Sequence, residues 1–310
     1  MTLRALYELP APAKLNLFLH VLGRRGDGYH LLQSAFVLID WADTLHVELR
    51  EDGRLQRHDL GTALPADDLC LRAARALQSA SACRLGADIS IAKQVPWGAG
   101  MGGGSSDAAT TLLALNRLWG LNWSQARLQA LALGLGADVP FFIGGHNALV
   151  EGIGERLTPV PWPVASYAVV KPPAAVSTQA IFGQLNLGAL KPSAILAGFP
   201  EGAGHSELPA GWEPGFGTNH LQPVAEIHCP EVAQAARWLQ ARYGNSRMTG
   251  SGSAVFARVG SDRSQQSENS GAADLPVAAF PAEELQHLPQ GWVGRMCRSL
   301  QQHPLADWAG

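Results

Sequence analysis

The sequence predicts an α+β protein with two domains, residues 1–160 and 161–310, and three observations support this. The chain has 310 residues, of which 46% are hydrophobic and 16% charged, so it is long and apolar enough for two domains with a sizeable core. Both strand-like alternation and helical apolar stripes occur along it. Residues 160–175 are rich in proline and alanine, and we place the domain boundary at their start.

The first elements of the chain are predicted to be strands. Residues 14–21 alternate strongly between apolar and polar side chains, and residues 33–39 and 44–50 are predicted to be further strands that join near residues 41–43. A helix is predicted over 68–79. Its apolar stripe is formed by Leu69, Ala73, Ala76 and Leu77.

A glycine-rich loop then connects a strand to a helix. The strand is predicted at 87–93, and the helix after the loop has apolar residues at helical spacing up to Trp119, with Gly120 as its stop. A glycine-rich turn that opens a helix directs backbone N–H groups and the positive end of the helix dipole at one small volume, which suits phosphate. The predicted phosphate-binding loop consists of Pro96, Trp97, Gly98, Ala99, Gly100, Met101, Gly102, Gly103, Gly104, Ser105 and Ser106.

This loop matches neither of the two commonest phosphate-binding loops. Gly98-x-Gly100-x-x-Gly103 fits the dinucleotide fingerprint, but that motif needs an acidic residue about 20 positions further on, and residues 121–124 contain none. A Walker A loop needs a lysine, which this loop lacks. A tight turn of small residues without a ligand remains the structural alternative.

The later elements are less regular. A helix is predicted from Ser124 to about residues 134–136, and another over 230–243. Strands are predicted at 254–259 and 291–298. Two segments are predicted to be loops, namely 187–218 and the polar stretch 260–274.

Two charged residues stand out against apolar surroundings. Lys14 shares one face of the first strand with Asn16, and taken alone it is typical of a solvated edge position. Asp138, two residues before Pro140, fits a helix N-cap. However, a lone aspartate in an apolar and glycine-rich stretch is costly to bury without a partner. Lys14 is the candidate partner, and it would hold Asp138 ionised as a proton acceptor.

Composition excludes several classes of function. The net charge of −3 gives no basic field for nucleic acid. No apolar run reaches the roughly 18 residues of a membrane span, and no signal-peptide pattern is present, so we expect a cytoplasmic protein without a membrane partner. The scattered cysteines indicate neither a disulfide framework nor a zinc site; they are Cys70, Cys83, Cys229 and Cys297.

Several stretches taken together resemble the GHMP kinases. They cover, with gaps, residues 10 to 257; they are Pro12-Ala-Lys-Leu-Asn-Leu-Phe-Leu19, Asp27-Gly-Tyr-His30, the loop 96–106, Leu135-Gly-Ala-Asp-Val-Pro140 and Met248-Thr-Gly-Ser-Gly-Ser-Ala-Val-Phe256. The resemblance implies an N-terminal domain like the second domain of ribosomal protein S5 and a ferredoxin-like C-terminal domain. ATP and the substrate are expected to meet between them.

The resemblance also implies an activity. It is ATP-dependent phosphorylation of a hydroxyl on a small molecule, with Mg²⁺ accompanying the ATP. The Lys-Leu-Asn and Asp-Gly-Tyr-His motifs are similar to those of the subgroup that phosphorylates the 2-hydroxyl of a cytidine-diphosphate derivative of methylerythritol, in non-mevalonate isoprenoid biosynthesis. The sequence does not identify a protein ligand for Mg²⁺, and either a monomer or a homodimer is expected.

Roles for individual residues follow from the same resemblance. Residues 96–106 are expected to hold the ATP phosphates, Asp138 to be the catalytic base, and Lys14 to polarise Asp138 and the hydroxyl. The expected substrate-binding residues are Asn16, Tyr29, His30, Thr178 and Phe182, with Tyr29 and Phe182 on the two faces of the cytosine. Tyr29 and His30 are also ordinary packing residues beside a strand.

The chain departs from the family pattern at two places. Asp68-Leu69 stands where the family often has Asn-Leu near the adenine, and Asn219-His220-Leu221-Gln222-Pro223 lacks both acids of an Asn-Asp-Leu-Glu-Pro segment. Three alternatives stay open from the sequence: another GHMP-type small-molecule kinase, an oxidoreductase that uses the dinucleotide match, and a catalytically silent nucleotide-binding regulator.

Overall fold

A computed structural model describes residues 3–189, 196, 207–260 and 288–309. The predicted polar loop at 260–274 lies outside these residues after Gly260, and so does much of the predicted loop at 187–218. The strands are β1 (Ala5–Arg24), β2 (His30–Arg50), β3 (Leu55–Asp59), β4 (Gly86–Ala92), β5 (Ala148–Gly152), β6 (Arg156–Pro159), β7 (Ser166–Lys171), β8 (Arg247–Met248), β9 (Val255–Val259) and β10 (Val293–Arg298). The helices are α1 (Leu69–Ser81), α2 (Gly103–Leu118), α3 (Gln125–Leu133), α4 (Val139–Gly144), α5 (Thr178–Gly183), α6 (Gln222–His228) and α7 (Pro230–Tyr243).

The first half of the chain forms a mixed sheet with helices against it. Its strand order is β3-β4-β2-β5-β6, with β1 paired to β2 in a long antiparallel hairpin and β3 parallel to β4. One large core cluster joins apolar residues of these strands to α1, α2 and α4. α2 is buried over almost its whole length, and the residues buried along it are mainly small or apolar.

The second half forms an antiparallel sheet with order β10-β7-β9-β8. α7 packs against β9, and Val232, Ala235 and Leu239 on one side of this helix are fully buried. Leu19 and Val21 of β1 belong to the same core cluster, so the second sheet covers part of the first hairpin. Mixed helix and strand content in both halves confirms the predicted α+β class.

Several sequence predictions of strands were wrong or incomplete. Residues 33–39 and 44–50 are parts of one strand, because Ala42 and Asp43 between them continue the ladder with Pro12 and Ala11 of β1. The short strands β3, β5 and β6 were missed, and β7 lies inside the segment 160–175 that was interpreted only as a boundary. Four to six residues next to Gly or Pro give little periodicity to detect.

The end of the described chain returns to the first sheet. Leu300 N donates to the carbonyl of Leu38 at 2.8 Å, and His303 N donates to the carbonyl of Gly145 at 2.7 Å. Leu305 is buried in the large core cluster of the first half. Residues 299–309 thus pack with the first half of the chain, although the sequence analysis assigned them to the second domain. The domain boundary near residue 160 remains a prediction. Within the described ranges, no helix is long and apolar enough to cross a membrane.

His303 predicts a pH dependence of stability. Burial lowers its pKa to about 4, and its Nδ1 accepts a hydrogen bond from Leu305 N at 3.0 Å. Between pH 6.5 and 4 the unfolded chain binds a proton that the folded chain excludes, so stability falls as the pH falls through this range. We expect the free energy of unfolding to drop by about 2 kcal/mol between pH 7 and pH 5 from this group.

Urea unfolding at the two pH values measures this drop. His303→Asn keeps an acceptor on Cγ for Leu305 N, as Nδ1 is, but cannot take the proton, so its loss of stability between pH 7 and pH 5 is expected to be smaller by that amount. An equal loss in the variant and the wild type would contradict the assignment to His303.

Candidate active site

A cleft between the two sheets brings most of the predicted site residues together. Its volume is about 950 Å³, at the upper end of the range for small-molecule sites. The predicted residues that line it are Lys14, Asn16, Tyr29, His30, Gly98, Gly100, Gly102, Asp138, Thr178 and Phe182.

The glycine loop alternates between backbone that faces the cleft and side chains that face the core. Gly98, Gly100 and Gly102 have φ angles of +64°, +73° and +71°, which favour glycine. Ala99 and Met101 between them are buried in an apolar cluster. Gly102 is the N-cap of α2 and supplies no side-chain cap, so the first N–H groups of the helix are left for another acceptor.

Other residues of the predicted loop do not line the cleft. Trp97 is 79% exposed, and Ser106 is fully buried with no hydrogen-bond partner for its Oγ among the described residues. Gly103 and Gly104 belong to the first turn of α2. Contacts of these residues with a nucleotide, like those of Pro96 and Ser105, therefore stay predictions.

Lys14 and Asp138 meet at the mouth of the glycine loop. Lys14 Nζ lies 3.5 Å from Asp138 Oδ2, and a Cβ atom on Gly102 would lie 3.3 Å from Lys14 Cε. Asp138 occupies the N-cap position of α4 but its side chain makes no capping bond, so the N-cap interpretation does not account for its carboxylate. The carboxylate is 31% exposed, which leaves it open to the cleft.

The structure holds the Lys14 ammonium in a buried position. The interpretation of Lys14 as a solvated edge residue was wrong, because its side chain is only 4% exposed. Its Nζ donates to Asn16 Oδ1 at 2.5 Å and lies 4.2 Å from the centre of the Phe36 ring. Burial is the main influence on its pKa, which lies below the ordinary lysine value although Asp138 opposes the shift.

The far end of the cleft presents aromatic rings. The rings of His30 and Phe182 are 5.1 Å apart and inclined by 32°, and Tyr29 beside them is 60% exposed. Burial lowers the pKa of His30, so its imidazole is mainly neutral near pH 7. Thr178 begins α5, the helix that contains Phe182.

A second glycine loop, at residues 249–253, completes the cleft. Asn16 N donates to Thr249 Oγ1 at 2.9 Å, and Gly250, Ser251 and Gly252 line the cavity. These residues were absent from the predicted site, although the Gly-Ser-Gly-Ser repeat matched a family motif and could have indicated them.

The two glycine loops are bonded to each other through their backbones. Ser253 N donates to the carbonyl of Gly98 and Ala254 N to that of Ala99, both at 3.1 Å. A Cβ atom on Gly100 would lie 2.3 Å from the Thr249 carbonyl oxygen, so only glycine fits there.

The segment that lacks the two family acids supports the second loop. Asn219 Nδ2 donates to the carbonyls of Met248 at 2.7 Å and Gly250 at 2.8 Å. Gln222 Oε1 accepts from Met248 N, and His220 Nδ1 accepts from Val21 N. The residues in place of the two acids thus have structural hydrogen bonds of their own.

The fold and this cleft define a GHMP kinase, and comparisons with known proteins agree. The GHMP kinases N terminal domain matches residues 68–146, and the GHMP kinases C terminal domain matches residues 207–273. A homoserine kinase structure from Cytophaga hutchinsonii has a TM-score of 0.60 at 15% identity over 96% of this chain and 95% of that one, which is a similarity of fold.

Similarity to one subgroup is much higher. Proteins named 4-diphosphocytidyl-2-C-methyl-D-erythritol kinase are 62% identical in Methylibium petroleiphilum, over 100% of both chains, and 54% identical in Variovorax paradoxus, over 99% of this chain and 100% of that one. A crystal structure of 4-(cytidine 5'-diphospho)-2C-methyl-D-erythritol kinase, 36% identical, has a TM-score of 0.67 over 80% of this chain and 88% of that one. The chain belongs to the 4-diphosphocytidyl-2-C-methyl-D-erythritol kinase family.

The contact between the glycine loops predicts that alanine substitution lowers stability much more at Gly100 than at Gly104. Gly100→Ala places a methyl group against the Thr249 carbonyl at a positive φ angle and is expected to cost about 1–3 kcal/mol of stability. Gly104→Ala is the control. Gly104 lies in α2, and its added Cβ would make an ordinary contact of 3.7 Å with the Leu69 side chain. Thermal unfolding measures both variants, and equal melting temperatures would contradict the close approach.

Proposed function

We propose that this chain transfers the γ-phosphoryl group of ATP to the 2-hydroxyl of 4-diphosphocytidyl-2-C-methyl-D-erythritol, in isoprenoid precursor biosynthesis by the non-mevalonate pathway. The single observation that carries the proposal is the approach of Lys14 Nζ to Asp138 Oδ2, at 3.5 Å, beside Gly102. A carboxylate, an ammonium group and the start of a helix then surround one reacting volume.

The glycine loop is proposed to hold the triphosphate. The uncapped N–H groups at the start of α2, together with those of the positive-φ glycines, are donors for phosphate oxygens, and the helix dipole adds a favourable field. Phosphoryl transfer needs alignment and charge stabilisation more than covalent chemistry. A rigid backbone donor set meets that need because it does not reorganise during the reaction.

Asp138 is proposed to accept the proton of the attacking hydroxyl. General-base catalysis contributes on the order of 10²–10⁴-fold in rate. The Lys14 ammonium lies 3.5 Å from Asp138 Oδ2, where it can also stabilise charge on the transferred group. Asn16 Oδ1 orients this ammonium, and its Nδ2 is anchored by Ser34 Oγ at 2.9 Å.

The aromatic end of the cleft is proposed to bind cytosine. Tyr29 and Phe182 supply ring faces, and His30 supplies a ring nitrogen for the polar edge of the base. Thr178, whose Oγ1 is 2.6 Å from Ser251 Oγ, is proposed to contact the substrate where α5 meets the second glycine loop. We propose a cytoplasmic enzyme, because Cys70, Cys83, Cys229 and Cys297 are all free thiols.

The described residues do not form a metal cage. No group of three or more His, Cys, Asp or Glu side chains in the described ranges could hold an ion. Mg²⁺ commonly binds substrate phosphates, water and only one or two carboxylates. We propose that Mg²⁺ arrives with ATP.

Removal of the base tests the chemistry. Asp138→Asn is expected to lower kcat by about 10²–10⁴-fold and to leave ATP affinity within a few-fold, because the amide keeps the shape but cannot accept the proton. Lys14→Met is expected to lower kcat similarly. A coupled assay of ADP release with the cytidylylated substrate measures both, and near-normal turnover of Asp138→Asn would remove its assignment.

Removal of an aromatic ring tests the substrate class. Tyr29→Ala is expected to raise KM for the cytidylylated substrate by about tenfold, the equivalent of a 1.4 kcal/mol stacking contact, with KM for ATP unchanged. Mevalonate and homoserine serve as alternative acceptors in the same assay. Faster phosphorylation of either one by the wild type would favour another GHMP-type kinase.

A further inference from the structure

A buried ionic cluster of Asp43, Lys93 and Asp107 lies outside the proposed catalytic machinery. The Lys93 ammonium bonds to Asp43 Oδ2 and lies 2.5 Å from Asp107 Oδ2. The side chains of Lys93, Asp43 and Asp107 are 12%, 0% and 4% exposed. None of the three lines the described cleft, so a direct role in the reaction does not account for them.

The cluster connects the two ends of the glycine loop. Lys93 follows β4 and precedes the loop, and Asp107 lies in the second turn of α2 after it. The Lys93 ammonium lies between Asp107 and Asp43 of β2, and a Cβ atom on Gly103 would be 3.5 Å from Asp43 Oδ2. The cluster therefore fixes where the strand ends and where the helix begins.

Asp43 has a full set of hydrogen-bond donors. Its Oδ1 accepts from Gln94 N at 2.5 Å and from Val95 N at 2.8 Å, and its Oδ2 accepts from Lys93. The three groups that contact this buried carboxyl are therefore all hydrogen-bond donors.

Asp107 is in a different position. Its Oδ2 accepts from Lys93, but its buried Oδ1 has no hydrogen-bond partner among the described residues. Burial, with repulsion from Asp43, raises the pKa of Asp107 well above its ordinary value although Lys93 opposes the shift. Two buried carboxylates with one ammonium would leave a net negative charge beneath the loop, and a proton on Asp107 removes it.

We propose that Asp43, Lys93 and Asp107 form a neutral positioning cluster for the phosphate-binding loop, in which Asp43 is ionised and Asp107 carries a proton. This inference rests on the proposed function, since it assumes that the loop binds ATP. A cluster without net charge favours nucleotide binding here, because an uncompensated anion beneath the loop would repel a triphosphate.

The two aspartates give a matched pair of variants. Asp107→Asn replaces a protonated carboxyl by a neutral amide of the same shape, which keeps an oxygen for Lys93. Its dissociation constant for the Mg²⁺ complex of adenosine 5'-(β,γ-imido)triphosphate is expected to stay within about twofold of the wild-type value. In Asp43→Asn the amide NH₂ group faces either the Lys93 ammonium or the backbone N–H groups of Gln94 and Val95. In either orientation, a donor whose hydrogen bond Asp43 accepts loses its partner. This variant is expected to weaken binding by about tenfold, the size of one charge-assisted hydrogen bond.

Lys93→Met tests the ammonium, with Arg50→Met as its control. Arg50 also lies between two aspartates, Asp52 and Asp88, but at the far end of β2. Lys93→Met is expected to weaken nucleotide binding and to raise KM for ATP by about tenfold, with KM for the phosphoryl acceptor unchanged. Arg50→Met is expected to change neither constant, whatever its effect on melting temperature. If Lys93→Met only destabilised the protein, the KM for ATP would not rise while the KM for the phosphoryl acceptor stayed unchanged.

Calorimetric titration of the folded variants decides the matter. Equal weakening by Asp107→Asn and Asp43→Asn, or normal binding by Lys93→Met, would overturn the proposal. An Asp43→Asn chain that does not fold, beside a normal Asp107→Asn, supports the asymmetry between the two carboxyls. The titration contains no phosphoryl acceptor, so a wild type that binds the nucleotide analogue but does not phosphorylate the cytidylylated substrate would contradict only the proposed function.

Discussion

The burial of one ammonium group at the junction of the two sheets is the constraint on which the site depends. A lysine loses several kcal/mol of hydration when it is taken out of water, and the surroundings must replace it. Here the replacement comes from Asn16 on the same strand and from two more distant parts of the chain, the Phe36 ring on the next strand and Asp138 before α4. Lys14 N also donates to the carbonyl of Met101, which ties the same strand to the glycine loop. A strand that did not bring these partners together could not bury the charge.

Much of the site could be predicted from the sequence because its parts are local motifs. Five glycines between a strand and a helix predict a phosphate-binding turn, and Gly98, Gly100 and Gly102 do line the cleft. The pairing of Lys14 with Asp138 followed from the cost of burying a lone carboxylate, and the contact between them confirms it. Fold class and family also follow from motifs, and membership of the kinase family removes the oxidoreductase alternative that the match of Gly98-x-Gly100-x-x-Gly103 had left open.

The missed features depend on contacts between residues far apart in the chain. Nothing local to Leu300 or His303 indicates that the last described segment bonds to Leu38 and Gly145. Likewise, the role of Asn219 in holding the second glycine loop needs residues about 30 positions later. The cluster around Lys93 was missed because Asp43 was interpreted only as part of a joint between two strands. Its donors come from residues 93–95, about 50 positions later in the chain, and no local pattern indicates them.

The hydrogen bonds from Ser253 and Ala254 to the first glycine loop have a mechanical consequence. They tie the two halves of the molecule together at the end of the cleft where phosphate is proposed to bind. The rim where Tyr29 and Phe182 lie is at the other end of the cleft and takes no part in these two bonds. Admission of a bulky acceptor from that rim would leave the spacing of the two loops undisturbed.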